Sequence, residues 1–402
     1  MYRISLPGNC STRHLVLCAA LLLSFVCAGT AQQNLVYVET NTGTCPDCRS
    51  NQNSIMTLVN DGTGQMTFLG TPTKIRGTGL YDAAPGTDFD ADQQLIANAT
   101  GSLMFAVNMH SNTIAVLNIN ADGTLTPVAG SPFASNGTQP ASLGLLDGGL
   151  PDGSSLLIVA NKDDDPTQTQ TAPNYSTFLV ASDGSLALNP AATVTLPAGS
   201  SPSQVLVSAR GTLMFGSQLL PTSTMSSYRI KADGSLVLIS TVIPPGGTTF
   251  LGMSIHPINS GLYVGLPDVN QVGVYEFGVL TGTLSFERTV LNPGTSVCWS
   301  KVNAAGTRLY TAETTSNSLT VYDLTDVINP VQVQHFAFRN EGNFGPTNLA
   351  IDPTGAFLYV LSGTRLHVLN ILADGSVSET LPPVKLPVKS GTIPVGLVAL
   401  MK

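Results

Sequence analysis

Short apolar runs broken by Gly, Asp and Pro fill the chain from Leu35 to its C-terminus. The clearest stretch, residues 347–377, reads TNLAIDPTGAFLYVLSGTRLHVLNILADGSV. It predicts a short apolar strand, a Pro-Thr-Gly turn and a second strand over 357–361. A polar loop, a third strand over 366–371 and an Ala-Asp-Gly turn follow. Asp-Gly between two such runs suits a tight hairpin, because Gly tolerates positive φ. The same unit recurs about once every fifty residues. Its second-strand centre falls at Tyr37, Phe105, Ile158, Phe215, Tyr263, Tyr310 and Tyr359. Its turn falls at Asp61-Gly62, Asp122-Gly123, Asp183-Gly184, Asp233-Gly234, Thr281-Gly282 and Asp374-Gly375, while the copy around Asp326 ends in Asn329-Pro330.

Seven copies of a four-strand unit at this period predict an all-β protein, a seven-bladed β-propeller with four-stranded blades. The alternatives are eight blades or an open solenoid. The two ends favour closure. The first copy begins at its second strand, over 35–38, and the chain finishes with a lone first-strand sequence over 395–400, VGLVAL. The C-terminal strand is therefore expected to complete the N-terminal blade, which removes a free sheet edge.

Residues 1–31 do not follow this pattern. Arg3, Arg13 and His14 precede an apolar run over 15–26, and Gly29-Thr30-Ala31 offers small residues. This reads as a secretory signal peptide cleaved after Ala31, with residues 32–402 as one propeller domain in a secreted or periplasmic protein. The apolar run is short for a membrane span, and no other long one exists. Losing the signal removes two Arg and no acid, moving the formal charge from −8 to −10. Such a surface disfavours nucleic acid and anionic lipid. Three Cys remain: Cys45 and Cys48 as a local disulfide candidate, and Cys298 as a buried free thiol. A zinc site would want a second Cys pair, and haem attachment would want His where Arg49 stands.

Candidate chemistry gathers in two sets of loops expected to meet at one mouth of the central channel. Loops entering first strands carry Asp88, Asp90, Asp92, Gln204, Trp299 and Asn348. Loops joining second to third strands carry His110, Lys162, Glu313 and Arg365. Asp88, Asp90 and Asp92 are spaced like the start of a calcium loop, but Gln93 stands where Gly is needed and Ala99 where Glu is needed. They remain weak candidates for another oxygen-rich metal site. Asp163-Asp164-Asp165 reads as a solvated loop tip. His256 reads as a turn residue, and His335 and His367 as strand residues. Glu313, following a strand, is the carboxylate best placed to serve as a general base, opposite Asp90, Asp92, Lys162 or Arg365.

The segments SLMFAVNMHSNTIAVLNINADGTLT, TRLYTAETTSNSLTVYDL and AIDPTGAFLYVLSGTRLHVLNILADGSV are similar to the lactonase family of seven-bladed propellers. That family includes propeller-type 6-phosphogluconolactonases, carboxymuconate lactonising enzymes and exported bacterial relatives with YVTN-like repeats. The resemblance runs from about Leu35 to the C-terminus and implies a lactone ring-opening precedent. Catalytic members carry His-Pro-His or Pro-Arg-His entering a first strand. Here Gln139-Pro140-Ala141-Ser142, Ser201-Pro202-Ser203-Gln204 and Gly345-Pro346-Thr347-Asn348 keep the Pro and lack the basic partners. Ala312-Glu313-Thr314 keeps only the Glu of an Asn-Glu-Leu segment.

The leading expectation is a monomeric propeller that binds a small molecule or an envelope protein at its mouth without catalysis. Asp90, Asp92, Gln204, Trp299, Asn348 and Arg365 are its binding candidates. The alternative is a lactone hydrolase with Glu313 and His110 as catalytic groups, Asp90, Asp92 or Asn348 assisting, and a divalent cation polarising the carbonyl. A structural cell-envelope role is the third.

Overall fold

Among the described residues the strands form seven antiparallel sheets, each following the repeat, and the C-terminal strand lies in the first of them. The computed structural model describes residues 33–43, 52–80, 90–189, 192–339, 345–389 and 392–402. Those residues belong to one compact unit, Gln33–Lys402. The signal-peptide reading, Cys45, Cys48 and Asp88 lie outside the described residues.

The repeat builds blades because each of its parts has a mechanical task. The hairpin glycines Gly62, Gly123, Gly184, Gly234, Gly282 and Gly375 all have φ between +78° and +88°, a region closed to most side chains. The second-strand centres Tyr37, Phe105, Ile158, Phe215, Tyr263, Tyr310 and Tyr359 are all at most 1% exposed. Several of these aromatics reach the next blade's turn. The Tyr37 hydroxyl donates to the Gly123 carbonyl at 2.8 Å, Tyr310 to Gly375 at 3.0 Å, and Tyr263 to Val327 at 2.9 Å. Asn60 in the first blade's turn donates to the Tyr359 hydroxyl at 2.7 Å, so the last blade is tied to the first in the same way.

Closure is longer than the sequence suggests. The strand Thr392–Met401 pairs with Asn34–Thr42 through nine residue pairs, with a bulge between Glu39 and Thr40. The apolar core is divided among blade interfaces. One cluster joins Phe105 and Val116 of blade 2 to Leu143 and Val159 of blade 3. Another joins Tyr359 of blade 7 to Val36 of blade 1. Outer edges are blunted in two ways. Blades 1, 2, 3 and 7 break the outer strand into two short pieces. Blades 4, 5 and 6 keep it whole but bulge it at Ile239, Glu287 and Val333. Both devices disfavour edge-to-edge pairing.

One loop differs from the sequence expectation. Asp163 and Asp165 are buried, at 6% and 0% exposure, and do not form a solvated tip. Asp163 accepts the Thr171 N–H with both oxygens at 3.0 Å, and Asp165 accepts the Thr167 N–H at 2.9 Å. Neighbouring N–H groups, left without strand partners by the turn, draw the carboxylates inward.

Candidate functional site

The segment that enters the first strand of blade 2, Leu95–Ala97, crosses the axis of the propeller. Asp92 N–H donates to Ser203 of blade 4 at 3.1 Å, and Leu143 N–H of blade 3 donates to the Gln93 carbonyl at 3.0 Å. Gln93 takes φ +62° here, which turns the chain so that successive side chains address different blades.

Asp92 is the hub. Its Oδ2 accepts the Gln204 amide at 3.1 Å and the Lys301 ammonium at 3.3 Å. Its Oδ1 accepts the Gln93 N–H at 2.7 Å and the Asn348 amide at 3.3 Å. Gln204, Lys301 and Asn348 stand on the first strands Pro202–Val207, Val297–Val302 and Pro346–Ile351. Carboxylate, ammonium and amides thus join blades 2, 4, 6 and 7 across the axis. Gln204 also accepts the Met253 N–H and donates to the Met253 carbonyl at 3.2 Å, adding blade 5. Asn348 donates to the Val395 carbonyl at 2.9 Å, adding the closing strand. Asp92 is 2% exposed, while the Lys301 side chain is 28% exposed.

This hub divides the channel. On the mouth side lies a cavity of about 30 Å³ beside Trp299, Cys298, Thr314 and Thr347, room for a single water. Trp299 caps it, its Nε1 donating to the Pro346 carbonyl at 3.0 Å. Burial pushes the Cys298 thiol up to about 12, so it is inert at neutral pH. On the far side lies a recess of about 320 Å³ whose wall is mostly aliphatic, from Leu95, Ile96, Leu397 and Leu400, with Asp92, Lys301 and Asn348 as polar groups. Lys301 is the floor group that reaches both the recess and the hub.

The remaining candidates are placed elsewhere. Glu313 ends the strand Arg308–Glu313 and is fully buried. Its Oε1 accepts from Asn292 at 2.9 Å and Thr311 at 2.7 Å, and its Oε2 accepts from Ser318 at 2.7 Å. Burial pushes its carboxyl up, and these hydrogen bonds bring it only part of the way back. Its partners all come from blade 6 and the link before it, so the structure does not bring it to Asp92, Lys162 or His110. His110 pairs through Nδ1 with Asp165 Oδ2 at 2.9 Å. Burial pushes Asp165 up, but hydrogen bonds from Thr167, Gln168 and His110 outweigh it and hold the carboxyl below its ordinary value. Asp90 accepts the buried Lys162 ammonium on its backbone carbonyl at 2.7 Å. Arg365 starts the third strand of blade 7, Arg365–Ile371, and is partly exposed.

A divalent cation does not suit this donor set. The lone pairs of Asp92 meet an ammonium, two amides and a backbone N–H, all of them donors. Among the described residues no three His, Cys, Asp or Glu side chains converge.

Lys301 was absent from the sequence-derived candidates. A signal did exist: it is the one charged residue within the seven described first strands.

The sequence matches no protein-family model and no curated protein. Solved structures do match over nearly the whole chain. A Lactobacillus plantarum protein shares 18% identity, with 92% of this chain and 99% of that one covered and a TM-score of 0.69. A candidate 6-phosphogluconolactonase from Bacteroides fragilis shares 15%, with 91% and 98% covered and a TM-score of 0.68. The periplasmic gluconolactonase of Pseudomonas aeruginosa shares 19%, with 92% and 99% covered and a TM-score of 0.67. The chain therefore has the seven-bladed fold of lactonase-like propellers.

Proposed function

We propose that this is an exported lactonase-like propeller whose axial recess binds a small hydroxylated molecule, a sugar lactone or its ring-opened acid, without turning it over. The observation that carries the reading is the recess itself. It has the volume of a small-molecule site, and at its floor Lys301 keeps ammonium donors exposed beside Asp92. An ammonium suits a ligand carboxylate or carbonyl, and the wall, mostly aliphatic from Leu95, Ile96, Leu397 and Leu400, suits the C–H face of a sugar-derived ligand. Catalysis is disfavoured because Glu313 is sealed among its own donors and Asp92 is held by four. Export rests on the N-terminal pattern and accords with the periplasmic origin of the Pseudomonas aeruginosa neighbour.

Calorimetry of the mature chain with D-gluconate and D-glucono-1,5-lactone tests binding, and a pH-stat assay of the lactone tests turnover. The proposal expects binding and no turnover above the spontaneous rate. Turnover, or no binding of either compound, contradicts it.

A second reading, lactone hydrolysis, is favoured by one observation. Asp165 fixes the Nδ1 side of His110, which leaves Nε2 as the basic nitrogen of a partly exposed mouth residue. Turnover lost in His110→Asn with folding intact would establish that reading.

A further inference from the structure

Glu39 breaks the pattern of its own repeat. Two residues past the second-strand centre, the other blades place Val107, Ala160, Ser217, Gly265, Ala312 and Leu361. Blade 1 places a carboxylate there, 1% exposed. Neither of its oxygens has a hydrogen-bond partner among the described residues. Leu35, Tyr37 and Glu39 alternate along one face of their strand, and that face packs on Leu95, Met104 and Ala106 of blade 2. Glu39 pairs in register with Ile55 on one side and Gly396 of the closing strand on the other. A Cβ on Gly396 would stand 2.8 Å from Glu39 Oε2 and 2.5 Å from Leu95 Cβ, so the glycine is what makes room for the carboxyl.

Among the described residues, the surroundings offer no countercharge. The neighbouring strands Ser54–Asn60, Leu95–Ala97, Leu103–Asn108, Thr113–Ile119 and Thr392–Met401 contain no titratable side chain. Lys74, on the short strand paired with Ser54 and Ile55, is exposed, as is Arg76. Asp92, three residues before Leu95, has both oxygens engaged at the hub. Tyr37 spends its hydroxyl on Gly123. None of these bonds Glu39.

We propose that Glu39 makes the closing seam of the propeller pH-sensitive: held shut while the carboxyl is neutral, and loosened when it ionises and draws water between blades 1 and 2. A buried carboxylate without a partner is among the most costly groups a fold can hold. The bulge at Glu39 and Thr40 lies at the same point of the seam, where the ladder is already interrupted. Burial raises this carboxyl well above its ordinary value. The folded seam therefore binds the proton more tightly than the unfolded chain. Stability contributed by that proton is present in acid and is lost as pH rises above the ordinary glutamate value. The loss reaches up to about tenfold in the folding constant per pH unit while the folded carboxyl stays protonated.

The test is amide hydrogen exchange on the mature chain from pH 5 to 9, corrected for intrinsic rates, for wild type, Glu39→Gln and Glu39→Leu. Leucine already occupies the matching place in blade 7. In wild type, protection over residues 34–42 and 392–401 should fall with pH more steeply than in blades 3 to 6, by tenfold or more across the range. Both variants should abolish that extra slope. An equal slope in wild type and variants overturns the proposal, as does a loss spread evenly over all blades. Unfolding of both variants at every pH would also overturn it, because the carboxyl would then be required by the fold.

Discussion

Asp92 and Glu313 are both buried carboxylates saturated with hydrogen bonds, yet they sit in different kinds of place. Glu313 takes its donors from blade 6 and the link before it, and lines neither the small cavity nor the recess described above. Asp92 takes its donors from residues on blades 4, 6 and 7 and from the adjacent Gln93 N–H, and one donor, Lys301, also faces a recess. The contrast shows that a carboxylate at a strand end is not enough to mark a site. What distinguishes Asp92 is that its partners arrive from separate blades and leave a polar group open to a ligand-sized space. Glu313 stiffens one blade, and Asp92 joins several while addressing the channel.

Substitutions can break that contrast at either end. Asp92→Ala should be the most damaging, costing about 3 kcal/mol in urea unfolding, because it leaves buried amides without acceptors and Lys301 without its ion pair. Glu313→Gln should cost less, about 1–2 kcal/mol, since one acceptor oxygen survives. Its effect should also depend on pH. The folded Glu313 carboxyl holds its proton more tightly than the unfolded one, so the proton's contribution is present in acid and lost as pH rises past the ordinary glutamate value. The cost of Glu313→Gln should therefore shrink toward neutral pH, as paired unfolding curves at pH 4 and pH 8 would reveal. Tyr310→Phe removes one blade-to-blade hydrogen bond and should cost about 1 kcal/mol by the same measurement. Lys301→Met should change stability least, by about 0.5 kcal/mol or less, because the ammonium is partly solvated and the stem can still pack.

The blades were legible because their determinants are local. Alternating apolar residues recur in every blade, with a buried aromatic in six and an Asp-Gly turn in five, and each acts within its own hairpin or on the next one. Closure was legible from the missing first strand at one end and the spare strand at the other. The hub was not, although Asp92, Gln204 and Asn348 were each singled out. The Lys301 contact with Asp92 spans 209 residues and that of Asn348 spans 256. Such contacts are set by ring closure, which brings first strands to one axis whatever their separation in the chain. Asp163 and Asp165 misled for a related reason: acidic composition suggests solvent, but unpaired N–H groups in the turn offered them a better environment inside. Glu313 was conspicuous as a carboxylate, and only its donors reveal that it faces inward.

The most direct test of the axial site is calorimetric titration of D-gluconate into wild type, Lys301→Met and Glu313→Gln at pH 7. Wild type should bind, Lys301→Met should bind at least tenfold more weakly, and Glu313→Gln should bind with unchanged affinity. Loss of binding in Glu313→Gln with Lys301→Met unaffected would contradict this and move the site to blade 6.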